Sequence, residues 1–195
     1  MSLLIITAVD GKPERPKIDG VRFIDIPYRG FSRGMGEFME RAVKKYAKTI
    51  AKYDYIAFMG DDVEYEPLYL ASVSEAIAEH WWQPVHASGS HHTYAAMKRA
   101  GRLPFVELNC VYSRDFLTHC APYFTESKSG WGLDVLMGKL HVERYGTEPL
   151  VCDAMTMRHV KPVTGGWEID GVSSGEELNR IIEKYGVGID WARMG

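Results

Sequence analysis

The sequence predicts a single α/β domain with a mostly parallel, Rossmann-like sheet flanked by helices. Three observations predict it. Short apolar runs alternate with segments of helical periodicity along the chain. Residues 2–9 form an almost continuous apolar run, as a buried parallel strand requires. Residues suited to chemistry come just after such runs, at Asp10, Asp61, Asp62 and His159. Open α/β sheets carry their ligand sites at the carboxyl ends of strands.

Residues 2–9 are read as the first strand and 10–20, rich in Gly, Pro and charge, as a loop. Residues 21–27 are read as a second strand, ended by Pro27. A helix is expected over 34–53, where Phe38, Met39, Ala42, Val43, Tyr46 and Ile50 recur at helical spacing. Residues 55–59 form a third strand, broken by Gly60-Asp61-Asp62. Pro67 suits the first turn of a helix over roughly 67–80. Strands are expected over 82–88 and 104–112, with Ser113 capping a short helix that holds Phe116 and Leu117. Residues 130–145 are helical after a Gly-Trp-Gly turn, and 150–155 form a strand. Ser173 and Ser174 ahead of Glu176 and Glu177 give a capping-box pattern. The helix that follows carries Leu178, Ile181, Ile182 and Tyr185, and Gly186 stops it. One domain over 1–195 then divides into a nucleotide- and metal-binding half (1–65), an acceptor and catalytic half (66–165) and a C-terminal helical tail (166–195).

The chain has 195 residues, 46% hydrophobic and 25% charged, enough apolar material for a core. Its net charge is -3, so no global basic signal points to nucleic acid or an anionic membrane. No apolar run approaches the roughly 20 residues that span a bilayer. The first residues lack a basic leader and are expected to be a strand, not a signal peptide. Cys110, Cys120 and Cys152 show no metal spacing, which suits buried reduced thiols in a cytoplasmic protein.

Three motifs carry chemistry. In Tyr55-Ile-Ala-Phe-Met-Gly-Asp-Asp-Val-Glu64 an apolar strand delivers Asp61, Asp62 and Glu64 to the mouth of the sheet. Adjacent carboxylates repel unless a cation offsets them, and a hard divalent ion would also bridge a diphosphate. The plainer reading is a solvated acidic turn. In Ser129-Gly-Trp-Gly-Leu-Asp134 the glycines, Gly132 among them, allow a tight turn and close approach of a ligand. Trp131 offers a flat face to a sugar ring, and Asp134 falls in the first turn of a helix. There it could simply complement the helix dipole. In Val151-Cys-Asp-Ala-Met-Thr-Met-Arg-His159 a strand ends in a loop that presents a histidine, a common ligand and a common structural residue.

The order of these motifs resembles the GT-A class of glycosyltransferases. Gly130-Trp-Gly-Leu-Asp134 is similar to the Gly-Trp-Gly acidic segment of the β-1,4-galactosyltransferases. The stretch from Phe105-Val-Glu-Leu-Asn109 to Asp153-Ala-Met-Thr-Met-Arg-His159-Val-Lys-Pro162 looks like a family of largely uncharacterised bacterial and plant glycosyltransferase-like proteins. The resemblance covers residues 54–163. It implies that Asp62, with Asp61 or Glu64, matches the metal-binding Asp-x-Asp motif. It implies His159 as the metal-binding histidine and Asp134 as the base that activates the acceptor. The motif here is Asp-Asp-Val-Glu, so the resemblance does not say which carboxylates bind metal.

The expected function is therefore metal-dependent transfer of a sugar from a nucleotide-sugar donor to an acceptor hydroxyl, with inversion. Carboxylates plus an imidazole suit Mn²⁺, with Mg²⁺ as the second choice. Asp10, Asp61, Arg29, Arg33 and Lys161 are candidates for contacts to the nucleotide and its phosphates, and His91 and His92 for the acceptor side. The acceptor is a saccharide, a small molecule or a hydroxymethylated base in phage-type DNA, for which Lys98-Arg99-Ala-Gly-Arg102 offers a basic patch. Nucleotidyl transfer is the nearest alternative, but the Gly-rich, basic loop it needs after the first strand is reduced to Asp10-Gly-Lys-Pro. A non-catalytic nucleotide-sugar-binding module is the other.

Overall fold

The computed structural model describes residues 2–9, 14–27, 34–60, 63–65, 68–79, 85–88, 101–102, 108–152, 157–159 and 168–188. The strands are β1 (Leu3–Val9), β2 (Val21–Pro27), β3 (Tyr55–Met59), β4 (Val63–Tyr65), β5 (Val85–Ser88), β6 (Gly101–Arg102), β7 (Val111–Ser113), β8 (Leu150–Cys152), β9 (Met157–His159), β10 (Glu168–Ile169) and β11 (Val172–Ser173). The helices are α1 (Met35–Ile50), α2 (Tyr69–Glu79), α3 (Arg114–Cys120), α4 (Leu133–Tyr145) and α5 (Ser174–Tyr185), with a 3₁₀ turn at Ala121–Glu126.

Seven strands form one sheet in the order β2-β1-β3-β7-β5-β8-β6. The pairs β1–β2, β1–β3 and β5–β8 are parallel, while β7 is antiparallel to β3 and β5, and β6 to β8. Strands β1, β2, β3, β5 and β8 therefore run one way, and β6 and β7 the other. The expected α/β class with a mostly parallel sheet is the one observed.

All seven residues of β1 are buried, because the strand has helices on both faces. Leu4, Ile6 and Ala8 join Phe38 and Met39 of α1, Phe116 of α3, Leu136 and Met137 of α4 and Ile181 of α5. Leu3 and Ile5 join Tyr69, Val73 and Ile77 of α2 on the other face. Strand β3 splits its side chains in the same way. Its Phe58 meets Phe38 edge-on at 5.8 Å and Tyr112 at 6.0 Å. Cys110, Cys120 and Cys152 are buried thiols, and burial pushes the Cys120 thiol well above its ordinary pKa. Among the described residues no helix is long and apolar enough to cross a membrane.

Several expected elements are shorter than their sequence patterns. Of the strand expected over 104–112, residues 104–107 lie outside the described residues, Val111–Ser113 is observed as β7, and Leu108–Cys110 is a bend, because the Asn109 side chain bonds across to the end of β3. The expected strand over 150–155 is observed as β8 alone, and 153–156 lie outside the described residues. The residues assigned to a helical tail hold a hairpin, β10–β11, and a helix with a fully buried Ile181. Both helix caps read from sequence form. Ser113 accepts from the Phe116 amide, and Ser173 and Glu176 make a reciprocal capping box.

One close approach fixes how α1 meets the rest. A Cβ on Gly36, in the first turn of α1, would overlap the carbonyl oxygen of Ser127. Gly175 holds the matching position in α5 and would meet nothing within 4 Å. Alanine normally stabilises a helix relative to glycine by about 0.5–1 kcal/mol. Gly175→Ala is expected to do so here, while Gly36→Ala should destabilise by about 3 kcal/mol through overpacking. Urea melts of the two variants would test this. Equal, stabilising shifts would contradict the packing described.

Candidate functional site

The parallel neighbours β1 and β3 end side by side, with Thr7 opposite Met59. Asp10 is the next residue after β1. Asp61 and Asp62 follow Gly60, the last described residue after β3. The chain then enters β4, which pairs antiparallel with β9. Val63 stands opposite His159, Glu64 opposite Arg158 and Tyr65 opposite Met157. Sequence reasoning expected His159 in a loop after the last strand. It instead closes a strand, because β9 pairs with the segment that follows Asp62. Paired residues of such a ladder have Cα atoms about 4.5–5.5 Å apart. The backbone thus brings the histidine strand against the acidic strand.

Carboxylates and an imidazole are residue types that suit a divalent cation. Among the described residues no group of three or more His, Cys, Asp or Glu is arranged to hold a metal ion. Asp10, Arg29, Arg33, Asp61, Asp62, His91, His92 and Lys161 lie outside the described residues, as do the side chains of Glu64 and His159.

The second half of the site is built around the turn at residues 127–132. Its organising group is Glu177, on α5 and only 4% exposed. The Glu177 carboxylate accepts from Ser127 Oγ at 2.7 Å, Lys128 N at 2.9 Å, Ser129 N at 3.0 Å and also Ser129 Oγ. The two serines accept in turn from the next amides: Gly130 N donates to Ser127 Oγ at 2.9 Å and Trp131 N to Ser129 Oγ at 3.1 Å. Burial alone would raise the Glu177 pKa, but the serine hydroxyls and backbone amides outweigh it and hold the carboxyl below its ordinary value. The same turn receives the start of α1, where Met35 N and Glu37 N donate to the carbonyls of Ser129 and Lys128. Glu177 was legible only as a helix-start acid. A better signal was its spacing four residues before Ile181, which puts a carboxylate on the apolar face.

The turn continues through Gly130 at φ 98° and Gly132 at φ 86°, both in the left-handed region. Sequence reasoning took Gly132 as room for a ligand. In the structure the space a side chain would need there is filled by Ile181 and Leu178 of α5. Its close approach is to the protein. Trp131, between the two glycines, is half-buried.

Asp134 follows in the first turn of α4 and is half-buried as a residue. Its Oδ1 accepts from the Val135 amide at 2.9 Å. Desolvation of the carboxyl pushes its pKa up to about 6, against the opposing pull of the amides of Val135, Asp134 and Gly132. The amides at the start of α4 favour the charged form, and burial outweighs them. A carboxylate with a pKa near neutrality is suited to general-base work.

The two halves meet through one short segment. Gly60 N donates to Asn109 Oδ1 at 2.9 Å, and Leu108 packs against Gly130. Gly60, Asn109, Leu108 and Gly130 therefore lie together at the end of the sheet where β3 stops. Asn109 was missed at the level of sequence, where its only signal is a lone amide inside an apolar run.

The Asp134 shift has a consequence for stability. Its folded pKa of about 6 lies above the ordinary 3.8, so folding favours the protonated acid. This group's contribution therefore weakens as pH rises from about 4 to about 6. Asp134→Asn, nearly isosteric, should remove that slope and stabilise the fold at pH 7 by up to about 3 kcal/mol. Urea melts of both proteins at pH 4.5 and 7 would test it. An unchanged slope, or a less stable Asn variant, would contradict the desolvated carboxyl.

No protein-family model matches the chain, and no curated protein matches it. Among solved structures the chain is similar to the crystal structure of A197 from STIV, with a TM-score of 0.52 and 16% sequence identity. The likeness covers 83% of this chain and 86% of that one, and at this identity it concerns the fold.

Proposed function

We propose that the protein is a metal-dependent glycosyltransferase that moves a sugar from a nucleotide-sugar donor to an acceptor hydroxyl with inversion. The observation that carries this reading is Asp134. Its carboxyl is desolvated, has a pKa of about 6, and belongs to the turn that packs on Leu108, next to the Asn109 contact with the exit of β3. Asp62 and His159, with Asp61 or Glu64, are the assigned ligands of a divalent cation; the pairing of β4 with β9, which sets the strand of His159 beside the segment that follows Asp62, supports bringing them together.

A bound Mn²⁺ or Mg²⁺ would supply charge neutralisation on the departing diphosphate. In the proposed reaction the acceptor oxygen bonds to the anomeric carbon and the bond from that carbon to the diphosphate breaks. Asp134 takes the acceptor proton as the new bond forms. Attack opposite the leaving group inverts the centre. Trp131 is assigned to flank the sugar ring. Asp10, Arg29, Arg33 and Lys161 are assigned to the nucleotide and phosphates, and His91 and His92 to the acceptor side.

Mn²⁺ with a nucleoside diphosphate should stabilise the fold and raise its melting temperature, the stabilisation reaching about 2.7 kcal/mol at a hundred times Kd. Asp62→Ala and His159→Ala should abolish that shift while the proteins stay folded. No shift with any common nucleoside diphosphate, with Mn²⁺ or Mg²⁺, would count against the reading.

Asp134→Asn should keep the same shift yet slow transfer by about 10²–10⁴-fold. In the parent, transfer should rise with pH and level off above about 6, as Asp134 loses its proton. Assays of nucleotide-sugar turnover would test both. Release of pyrophosphate in place of nucleoside diphosphate would mean nucleotidyl transfer, and an Asn variant with the parent rate would remove Asp134 from the chemistry.

A further inference from the structure

Helix α1 treats its charges differently along its length. In the first half each exposed base has an acid one turn earlier, Arg41 paired with Glu37 and Lys44 with Glu40. In the second half the acids stop. Residues 41–53 hold five basic residues and no acidic one, in a chain whose net charge is -3. Lys45, Lys48 and Lys52 are exposed, and among the described residues none of the three makes an ion pair. A fourth cation comes from another element. Arg114, the first residue of α3, is exposed, and its Nη1 donates to the Ala51 carbonyl at 2.8 Å. Asp54, the first acid after the stretch, accepts from the amide and the hydroxyl of Ser2.

Lysines four residues apart on a helix repel, so the pattern weakens α1 by itself. The helix dipole favours cations only in the last turn. That accounts for Lys48 and leaves Lys45, one turn earlier, and Arg114 unexplained.

The chemistry of this face narrows its partner. Protein interfaces are anchored by apolar and aromatic side chains at their centre. Here the exposed apolar residues between Arg41 and Lys52 are Ala47 and Ala51. Stable attachment to a membrane needs apolar insertion or an anchor besides basic charge. The apolar side of α1, with Phe38, Met39, Ala42 and Ile50, is packed in the core. A nucleic-acid backbone needs neither, because neutralisation of phosphates supplies its affinity. The lengths agree as well. Lys45 to Lys52 spans about 10 Å at 1.5 Å per residue. One strand carries a phosphate about every 3.4 Å, so about three fall within that length.

We infer that the C-terminal half of α1, with Arg114, is a docking surface for the phosphate backbone of a nucleic acid. Docking here requires no sugar transfer. The start of α1 meets the turn that leads to Asp134, and these lysines lie at its other end.

The test is fluorescence anisotropy of the full chain with a labelled duplex of about 20 base pairs, between about 50 and 200 mM salt. Four phosphate contacts predict a slope of log K against log salt near about -3.6, at about -0.9 per contact. Lys45→Gln, Lys48→Gln and Lys52→Gln combined should weaken binding and bring the slope to about -0.9. The matching triple change to Arg keeps the charges and should keep the slope. Lys139→Gln with Lys184→Gln, on α4 and α5, removes charge elsewhere and should leave the slope unchanged. A parent that does not bind, a parent-like slope in the Gln variant, an Arg variant that behaves like it, or an equal loss per charge at Lys139 and Lys184 would overturn the inference. Vesicles of phosphatidylserine in phosphatidylcholine serve as the comparison. Attachment to them without duplex binding would assign the face to a membrane and overturn it too.

Discussion

The hydrogen-bonded carboxylate of Glu177 is the interaction on which the candidate site depends. A buried charge is unfavourable unless its hydrogen-bonding capacity is met. Here two serine hydroxyls and two backbone amides meet it, all from residues 127–129. Those three residues are thereby held against α5. The consequences spread outward. The carbonyls of Lys128 and Ser129 receive the first amides of α1, and Gly36 is required so that α1 can come that close. The serine oxygens fix the amides of Gly130 and Trp131. The turn then reaches Gly132, which packs on α5, and α4 begins. The hairpin ahead of α5 adds an exposed ion pair, Lys128 with Asp170, of small energetic weight. The C-terminal segment is thus a structural part of the site.

Glu177 and Asp134 show how one region shifts two carboxyl groups in opposite directions. Glu177 is rich in donors from outside its own helix, and its charge is stabilised. Among the described residues Asp134 has only amides of its own helix start, while burial raises its pKa to about 6. The first group shapes the backbone, and the second is left near neutrality, able to exchange a proton. Pairs of acids pushed apart by their surroundings are a common basis for dividing structural and catalytic roles. The antiparallel direction of β7 matters to the same arrangement. Because β7 runs against β3, its leading segment, Leu108 and Asn109, lies beside the end of β3.

The elements that rest on local pattern were legible in sequence. Helices α1 and α5, the strands β1 and β3, and the caps at Ser113 and Ser173 follow from periodicity and from side chains three residues apart. The expectations that failed were those that depend on distant partners. Strand β9 is three residues long and exists through its pairing with β4, nearly a hundred residues earlier in the chain, so no local run announces it. Residues 108–110 look like strand, yet Asn109 diverts them by a bond to Gly60. The Gly-Trp-Gly turn was found, but its glycines answer to Leu108 and Ile181, which no spacing rule links to them. Asp134 could be singled out as a candidate because its motif is contiguous. Glu177 was passed over because its partners lie 48–50 residues away.

The proposed function requires a cation held by the acidic residues after β3 to lie near the head of α4. Paramagnetic broadening by Mn²⁺ of assigned backbone amide signals measures this directly, with no assumption about donor or acceptor. The account predicts broadening at Gly60 and across Trp131–Val135. The signal of Tyr145, about 16 Å along α4 from Asp134 at 1.5 Å per residue, should be affected far less. Broadening at Gly60 with Trp131–Val135 left as sharp as Tyr145 would contradict it.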